Sequence, residues 1–488
     1  MRRAKGNLAS VKGRGFIVTL VALIAGCAIG PAYERPASEL PAAWQGGPAS
    51  GVSAPGDRWW TLYADPALDR LVEEALAHNQ DLALAVARVD EARALARVAD
   101  SLQWPSVDAS FNRDRSRRSE VTSTPFPGAP VESNNYRAQL NVAYEVDLWG
   151  RLKSVSNAAR ANLLATVAAR ETVRIALATE VVRGYYTLIS LDAQIAATER
   201  ALSLRSNGLE LQRVRAKAGL INDLSLRQLE AEVAAAQSQL PALAANRTAQ
   251  ELALSVLAGR SPRAITEAGV ERRAEQGEPQ PPVIPEGLPS DLLLRRPDIV
   301  QAEQQLIAAN ARIAEARASL FPRILLTGFL GSESAALGNL FSGPAAIWSL
   351  AFGLAQPIFQ GGRLFAEIEA VEAREKQAVA SYQKTLQEAF REVRQGLSTQ
   401  LRAREVYDSE TNRATALTEA LRLARLRYQQ GLLSQLEIID AERNLLQAEL
   451  NRADALRAQR AAVADVVKAL GGGWQGLEAT PVAQQKPQ

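Results

Sequence analysis

Cysteine, histidine and methionine occur once each in these 488 residues. A single cysteine excludes a disulfide scaffold, and the lone His78 excludes a Cys/His metal centre and any triad needing a second histidine. Aromatic residues are scarce, at 5%, and no cluster of nucleophile, base and ligand residues suggests an enzyme. Proline is missing from 131 to 240 and from 358 to 480. Because an interior proline costs a helix about 3 kcal/mol, such gaps permit very long helices. Past residue 27 no stretch offers eighteen consecutive apolar residues, so no transmembrane helix is expected there. Acidic residues are absent from 1–26, which hold five basic ones. The formal charge of +3 therefore belongs to that segment, and the remainder carries 51 basic against 53 acidic residues. This balance gives no warrant for nucleic-acid binding.

What is present begins with Arg2, Arg3, Lys5, Lys12 and Arg14, followed by a ten-residue apolar core over 16–25 and Ile24-Ala25-Gly26-Cys27. This reads as a signal peptide ending in a bacterial lipobox, with Cys27 acylated as the first mature residue. Ala28 after the cysteine reads as sorting to the outer membrane. Residues 28–60, rich in Pro, Gly, Ala and Ser, read as an extended lead-in.

The chain then repeats itself. Trp104-Pro105 answers Phe321-Pro322 at an offset of 217 residues. Gly150-Arg151-Leu152 answers Gly362-Arg363-Leu364, and 213–224 answers 425–436, both at 212. Each half reads as helix, hairpin, very long helix, turn and helix. Val181, Leu188, Ile195, Leu202 and Leu209 recur every seven residues, and Leu386, Phe390, Val393, Leu397 and Leu401 step by three and four, as in coiled coils. A helix over 151–218 would be about 100 Å long. Gly219 and Gly431 are expected to stop the long helices, Asn222 and Ser434 to cap the returning ones, Ser434 in a capping box with Glu437, and Pro241 to kink the first of them.

Between the helices lie strands. Tyr136, Ala138, Leu140, Val142, Tyr144, Val146 and Leu148 alternate with mostly polar residues, and Trp348, Leu350, Phe352 and Leu354 alternate with small ones. Tyr136, Leu140, Val142, Tyr144, Trp348, Leu350 and Phe352 are candidate lipid-facing residues. Weaker strands are expected near 106–118 and 323–333. Four strands cannot close a transmembrane barrel, and an open edge in lipid leaves backbone groups unsatisfied, so several chains would have to share one barrel. Arg113, Arg115, Arg117 and Arg118 fall at the first hairpin tip, where a solvated loop and a contact to outer-leaflet phosphates are both open readings.

Several blocks carry a resemblance: Cys27 with GPAYERP (30–36), YEVDLWGRL (144–152), the long block at 295–322, PIFQGGR (357–363), 427–450 and LGGGW (470–474). With these the chain resembles the TolC/OprM-type outer-membrane efflux proteins, in their NodT-type lipoprotein branch. The resemblance implies a mainly α fold with a small β part: a long α-helical coiled-coil barrel plus a transmembrane β-barrel shared among protomers, four strands per chain in two structural repeats. It implies a homotrimer in the outer membrane, anchored at Cys27, mostly periplasmic, without cofactor or metal. Its partners would be a periplasmic adaptor (membrane fusion protein), an inner-membrane transporter and outer-membrane lipid. It places the periplasmic gate at Tyr428, Leu436, Glu437 and Asp440, the two acids three residues apart on one helix face and repeated as carboxylate rings by threefold symmetry. Leu433 departs from the family by occupying a gate-arginine position. Leu224-Ser225 stand where a Thr-Asp pair is expected, with Asp223 one residue earlier. Arg215 and Arg427 are the available replacement cations.

The expected organisation is a signal peptide (1–26), an extended segment (27–65), helices of the first repeat (66–104), a first transmembrane hairpin (105–149) and a long helix, turn and return (150–260). An equatorial linker (261–296) leads to a second-repeat helix (297–321), a second hairpin (322–359), a second long helix, gate turn and return (360–470) and a tail (471–488). The expected function is the exit duct of a tripartite system exporting small toxic compounds. A duct for type I-like protein secretion and a lipidated periplasmic adaptor are the alternatives.

Overall fold

The structure is a computed structural model that describes residues 30–37, 56–121, 130–267, 269–272, 282 and 294–477. Cys27 and the expected signal peptide lie outside the described residues, as do 478–488.

The elements are helices α1 (Pro66–His78) and α2 (Gln80–Ser101), strands β1 (Ser106–Arg117) and β2 (Glu132–Val146), then α3 (Arg151–Lys217), α4 (Asp223–Leu257) and the short α5 (Pro262–Glu267). The second half has α6 (Pro297–Ala318), β3 (Arg323–Ser334), β4 (Ala346–Ala355), α7 (Arg363–Gln429) and α8 (Gln435–Ala469). The repeat is now visible in element lengths. Helices α3 and α7 both have 67 residues and α4 and α8 both have 35. Helices α2 and α6 have 22 each, and β1 and β3 have 12 each. The change of offset falls inside the hairpins, where β2 has 15 residues and β4 has 10. Helix α4 runs through Pro241 as one element.

Two compact units divide the chain. The first comprises Asp90–Ala165 and Ala302–Tyr382 with the stretch ending at Ala37. Its sheet is antiparallel throughout, in the order β1-β2-β3-β4. Directly paired residues share a face, so the register sorts every side chain. One face carries Val107, Ala109 and Phe111, then Leu140, Val142 and Tyr144, then Leu326 and Leu330, then Trp348, Leu350 and Phe352. The other carries Asp108, Ser110, Asn112, Arg137, Gln139, Asn141, Glu145, Thr327 and Glu333. Among the described residues nothing covers the apolar face: Trp348 is 76% and Leu350 80% exposed.

The alternation expected to run to Leu148 stops at Val146, because the next residues build a corner. The Asp147 carboxylate accepts the Leu152 and Lys153 amides at 3.1 and 2.8 Å, capping α3. Glu145 pairs with Arg151 at 2.8 Å. Trp149 donates its indole N–H to the Pro322 carbonyl at 2.8 Å and packs on Phe321. The YEVDLWGRL block is thus the joint where a strand becomes a helix, held to Phe321-Pro322 of the second half.

The second unit comprises Ser38–Val89, Thr166–Gln301 and Gln383–Gln488. Its buried side chains include Leu68, Val72, Val181, Tyr185, Leu188, Leu254, Val393, Val463 and Val467. Three polar contacts sit inside it: Tyr185 donates to Asp65 at 2.8 Å, Tyr63 donates to the Arg460 carbonyl at 2.7 Å, and the Arg460 guanidinium lies over the Tyr186 ring. The stripe on α7 holds from Leu386 to Leu397, but Leu401 is exposed and Gln400 is buried instead. Leu386, Val393 and Gln400 are seven residues apart, so the buried stripe continues through Gln400 and Leu401 falls about 100° off it.

In this unit Arg260 donates to both oxygens of Glu74, at 2.7 and 2.9 Å. That pairing holds the Glu74 carboxyl below its ordinary 4.5. A lowered acid stabilises the fold above its unfolded value and loses that contribution as pH falls through the folded one. Glu74→Gln is therefore expected to lower the thermal midpoint at neutral pH, and the gap to the parent should close as pH drops below 4.5. A gap independent of pH in a thermal-melt series would contradict this.

Candidate functional site

Both long helices end in the second unit with the same turn. Gly219 and Gly431 have φ of +71° and +74°. In each turn the glycine amide bonds back to a carbonyl (Ala216, Tyr428), and the next amide reaches Arg215 or Arg427, at 2.9–3.0 Å. Only glycine takes this left-handed turn without penalty, so both helices stop there. Asn222 then accepts the Ser225 amide at 2.9 Å and starts α4. At α8 the cap is Glu437, whose carboxylate accepts the Ser434 amide at 2.8 Å and the Ser434 hydroxyl at 2.9 Å. Those two bonds hold its carboxyl below the ordinary 4.5.

The two tips are tied by polar bonds. The Tyr428 hydroxyl accepts from Gln212 at 2.7 Å and from Arg215 at 3.0 Å, and Gln212 also donates to Gln435 at 3.0 Å. Of the two candidate replacement cations, Arg215 is the one beside the tyrosine. Higher up, Glu232 of α4 lies between Arg205 of α3 at 3.4 Å and Arg443 of α8 at 2.8 Å. Arg443 also approaches Asp440 at 3.7 Å, and Arg425 pairs with Glu442 at 2.9 Å. An apolar cluster of Leu209, Leu229, Val233 and Ile439 underlies these pairs, with Leu202 and Leu226 against it.

Leu436, Glu437 and Asp440 remain exposed on the first turns of α8, while Ile438 and Ile439 are buried. The helix thus turns its acids outward and its isoleucines inward. Tyr428 is placed differently, half-buried in the network rather than on the acidic face. Gln212, Arg205, Glu232 and Arg443 were not singled out in the sequence. A signal existed for two of them: Arg205 and Gln212 interrupt the spacing of Leu202 and Leu209 by three and four residues, which marks polar positions inside a coiled-coil seam. Among the described residues no group of three metal-ligating side chains occurs, and no helix is long and apolar enough to cross a membrane. The candidate lipid-facing residues Tyr136, Leu140, Val142, Tyr144, Trp348, Leu350 and Phe352 all fall on one face of the sheet.

A family model described as outer membrane efflux protein matches residues 71–260 and 288–472. The chain is 36% identical over 465 residues to the solvent efflux pump outer membrane protein SrpC of Pseudomonas putida, covering 93% of this chain and 96% of that protein. It is 31% identical over 459 residues to the cation efflux system protein CusC of Escherichia coli O6:H1, covering 93% and 97%. The Campylobacter jejuni CmeC outer membrane channel superimposes with a TM-score of 0.87 at 25% identity, over 93% of this chain and 96% of that one.

Proposed function

The chain belongs to the outer membrane efflux protein family, whose members are transport channels rather than enzymes, and we propose that it is the exit duct of a tripartite pump, closed at its periplasmic end by the α7–α8 tip. The observation that carries this reading is the sheet. One face is largely apolar and the other largely polar, with Leu325, Phe329 and Ile347 among its exceptions, and among the described residues β1 and β4 each have one unpaired edge. A sheet with open edges is tolerated in lipid only if other chains complete it. Three copies would supply twelve strands, an even number of the size outer-membrane barrels use. The apolar residues would then face lipid, and the polar ones a watery lumen.

Anchoring at an acylated Cys27 would hold the chain to the membrane but not span it. The partners are a periplasmic adaptor and an inner-membrane transporter, which supplies the energy. Relatives named for solvents, toluene, antibiotics and cations favour small toxic compounds as cargo. A strain lacking the gene should become sensitive to such compounds and recover on complementation. Unchanged tolerance across a panel of solvents, antibiotics and metals would remove the cargo assignment.

The gate consists of Leu436, Glu437, Asp440 and the tethered Tyr428. In a threefold assembly each exposed acid becomes a ring, which favours cations and narrows the exit electrostatically. Asp440→Ala with Glu437→Ala is expected to raise single-channel conductance in planar bilayers several-fold and to lower cation selectivity. Conductance and reversal potential identical to the parent would dismiss the acidic rings as a gate.

A further inference from the structure

The face of β1 that carries Val107, Ala109 and Phe111 continues, at every second residue, with Arg113, Arg115 and Arg117. The register turns this alternation into depth. Successive rows on that face are Val146 with Ile324 and Leu354, Tyr144 with Leu326 and Phe352, Val107 with Val142 and Leu350, Ala109 with Leu140, Leu330 and Trp348, and Phe111 with Ala138 and Ala346. Next come Arg113 with Tyr136, Arg115 with Asn134, and Arg117 with Glu132. Eight residues separate the first and fifth rows along β2, about 27 Å of strand, or about 20 Å of height once tilted. That is close to the apolar band of an outer-membrane barrel, about 25 Å. The arginines therefore begin where the apolar band ends.

They lie at the hairpin end, whereas α2 and α3 join the strands at the opposite end. With the helices in the periplasm, the arginine rows face the outer leaflet. Tyr136 marks the same boundary, as aromatic residues do at lipid headgroups, and Arg113 lies over its ring. The opposite face of β1 bears Asp108, Ser110, Asn112, Asp114 and Ser116, so the arginines are segregated outward. Their carboxylate partners, Glu132 for Arg115 and Glu120 for Arg117, are exposed themselves. On the outward rows three arginines meet one acid, Glu132. Arginine forks bind phosphate oxygens two at a time, and rows about 7 Å apart offer adjacent forks.

We propose that Arg113, Arg115 and Arg117 form an outward arginine ladder that binds the phosphate groups of the outer-leaflet glycolipid. This rests on the membrane placement of the sheet argued above. The full chain would be purified as its oligomer and reconstituted in phosphatidylcholine with either bisphosphorylated lipid A or lipid A stripped of both phosphates. Lipid retained after a detergent wash would be counted by native mass spectrometry, and channel conductance recorded on the same samples.

The parent should retain the phosphorylated lipid several-fold better than the stripped one. R113Q/R115Q/R117Q should fall to the stripped level at parental conductance, and the triple lysine variant should lie between. If the triple glutamine variant fails to assemble, Arg115→Gln and Arg117→Gln singly should each lower retention. Equal retention by parent and glutamine variants overturns the ladder while leaving the channel intact. Loss of retention in millimolar inorganic phosphate overturns it in favour of a free-anion site. A parent that forms no channels overturns the membrane placement and the ladder together.

Discussion

Glu232→Ala is expected to loosen the helix tip, with conductance in planar bilayers well above the parent and faster amide exchange in the first turns of α4 and α8. The reason is an asymmetry in burial. Arg205 and Glu232 are 5% and 8% exposed at the side chain, whereas Arg443 is 56% exposed. Removing the carboxylate frees Arg443 to water at little cost, but it strands the buried Arg205 guanidinium without its carboxylate partner. Breaking a buried pair from one side costs about 3–5 kcal/mol, since one charge stays desolvated without its partner. A bond of 3.4 Å from Arg205 to the Glu232 carbonyl survives and moderates this loss.

The companion variant separates charge from packing. Arg205→Met with Glu232→Leu removes both ions and fills their volume beside Val233 and Ile439. Replacing a buried ion pair by apolar groups of similar size is commonly neutral or stabilising. The double variant should therefore return conductance and exchange to the parental range, with a tip at least as stable. Cells carrying Glu232→Ala should admit vancomycin, and cells carrying the double variant should not. If Glu232→Ala matches the parent in conductance and exchange, the buried pair has no part in holding the tip.

The repeat explains which parts of this site were legible in the sequence. The long proline-free helices, their glycine stops and their caps recur at an offset of 212, so each half vouches for the other. The sheet's faces were legible because a period of two needs no partner to be seen. The tip network obeys neither rule. Tyr428, Gln212, Glu232, Arg443 and Arg205 have Ala216, Ala424, Asn444, Ala231 and Leu417 at the matching positions of the other half. These are the places where the halves differ, and their partners come from other helices. Arg215 and Arg427 are repeat mates, so no pattern chooses between them. Only the packing of α3 against the end of α7 brings the first to Tyr428. The arginines of β1 were legible as a cluster at the end of an expected strand, with a solvated loop and a phosphate contact both open, because their depth along the sheet depends on a register that the sequence does not print.

Gly259→Ala should be the most damaging alanine substitution among the described glycines, and Gly219→Ala measures why. Both glycines have nearly the same backbone, with φ of +69° and +71°. Both close a helix, α4 and α3, with paired amide bonds to its last turn. An alanine at either site pays the left-handed penalty of about 1–2 kcal/mol. At Gly219 nothing lies within 4 Å of the added carbon. At Gly259 it would sit 2.1 Å from the His78 carbonyl oxygen and 2.4 Å from its carbon. Backbone, not a flexible side chain, blocks it. The end of α4 would have to withdraw from the α1–α2 junction. That would break the bond from the Asn79 side chain to the Leu257 carbonyl, 3.0 Å, and draw Arg260 away from Glu74. Asn79 also caps α2 by accepting the Asp81 and Leu82 amides, so the cap is disturbed as well. The yield of folded, heat-modifiable oligomer should fall severely for Gly259→Ala and only slightly for Gly219→Ala. Equal losses would mean that φ alone decides, and that the close approach to His78 relaxes without cost.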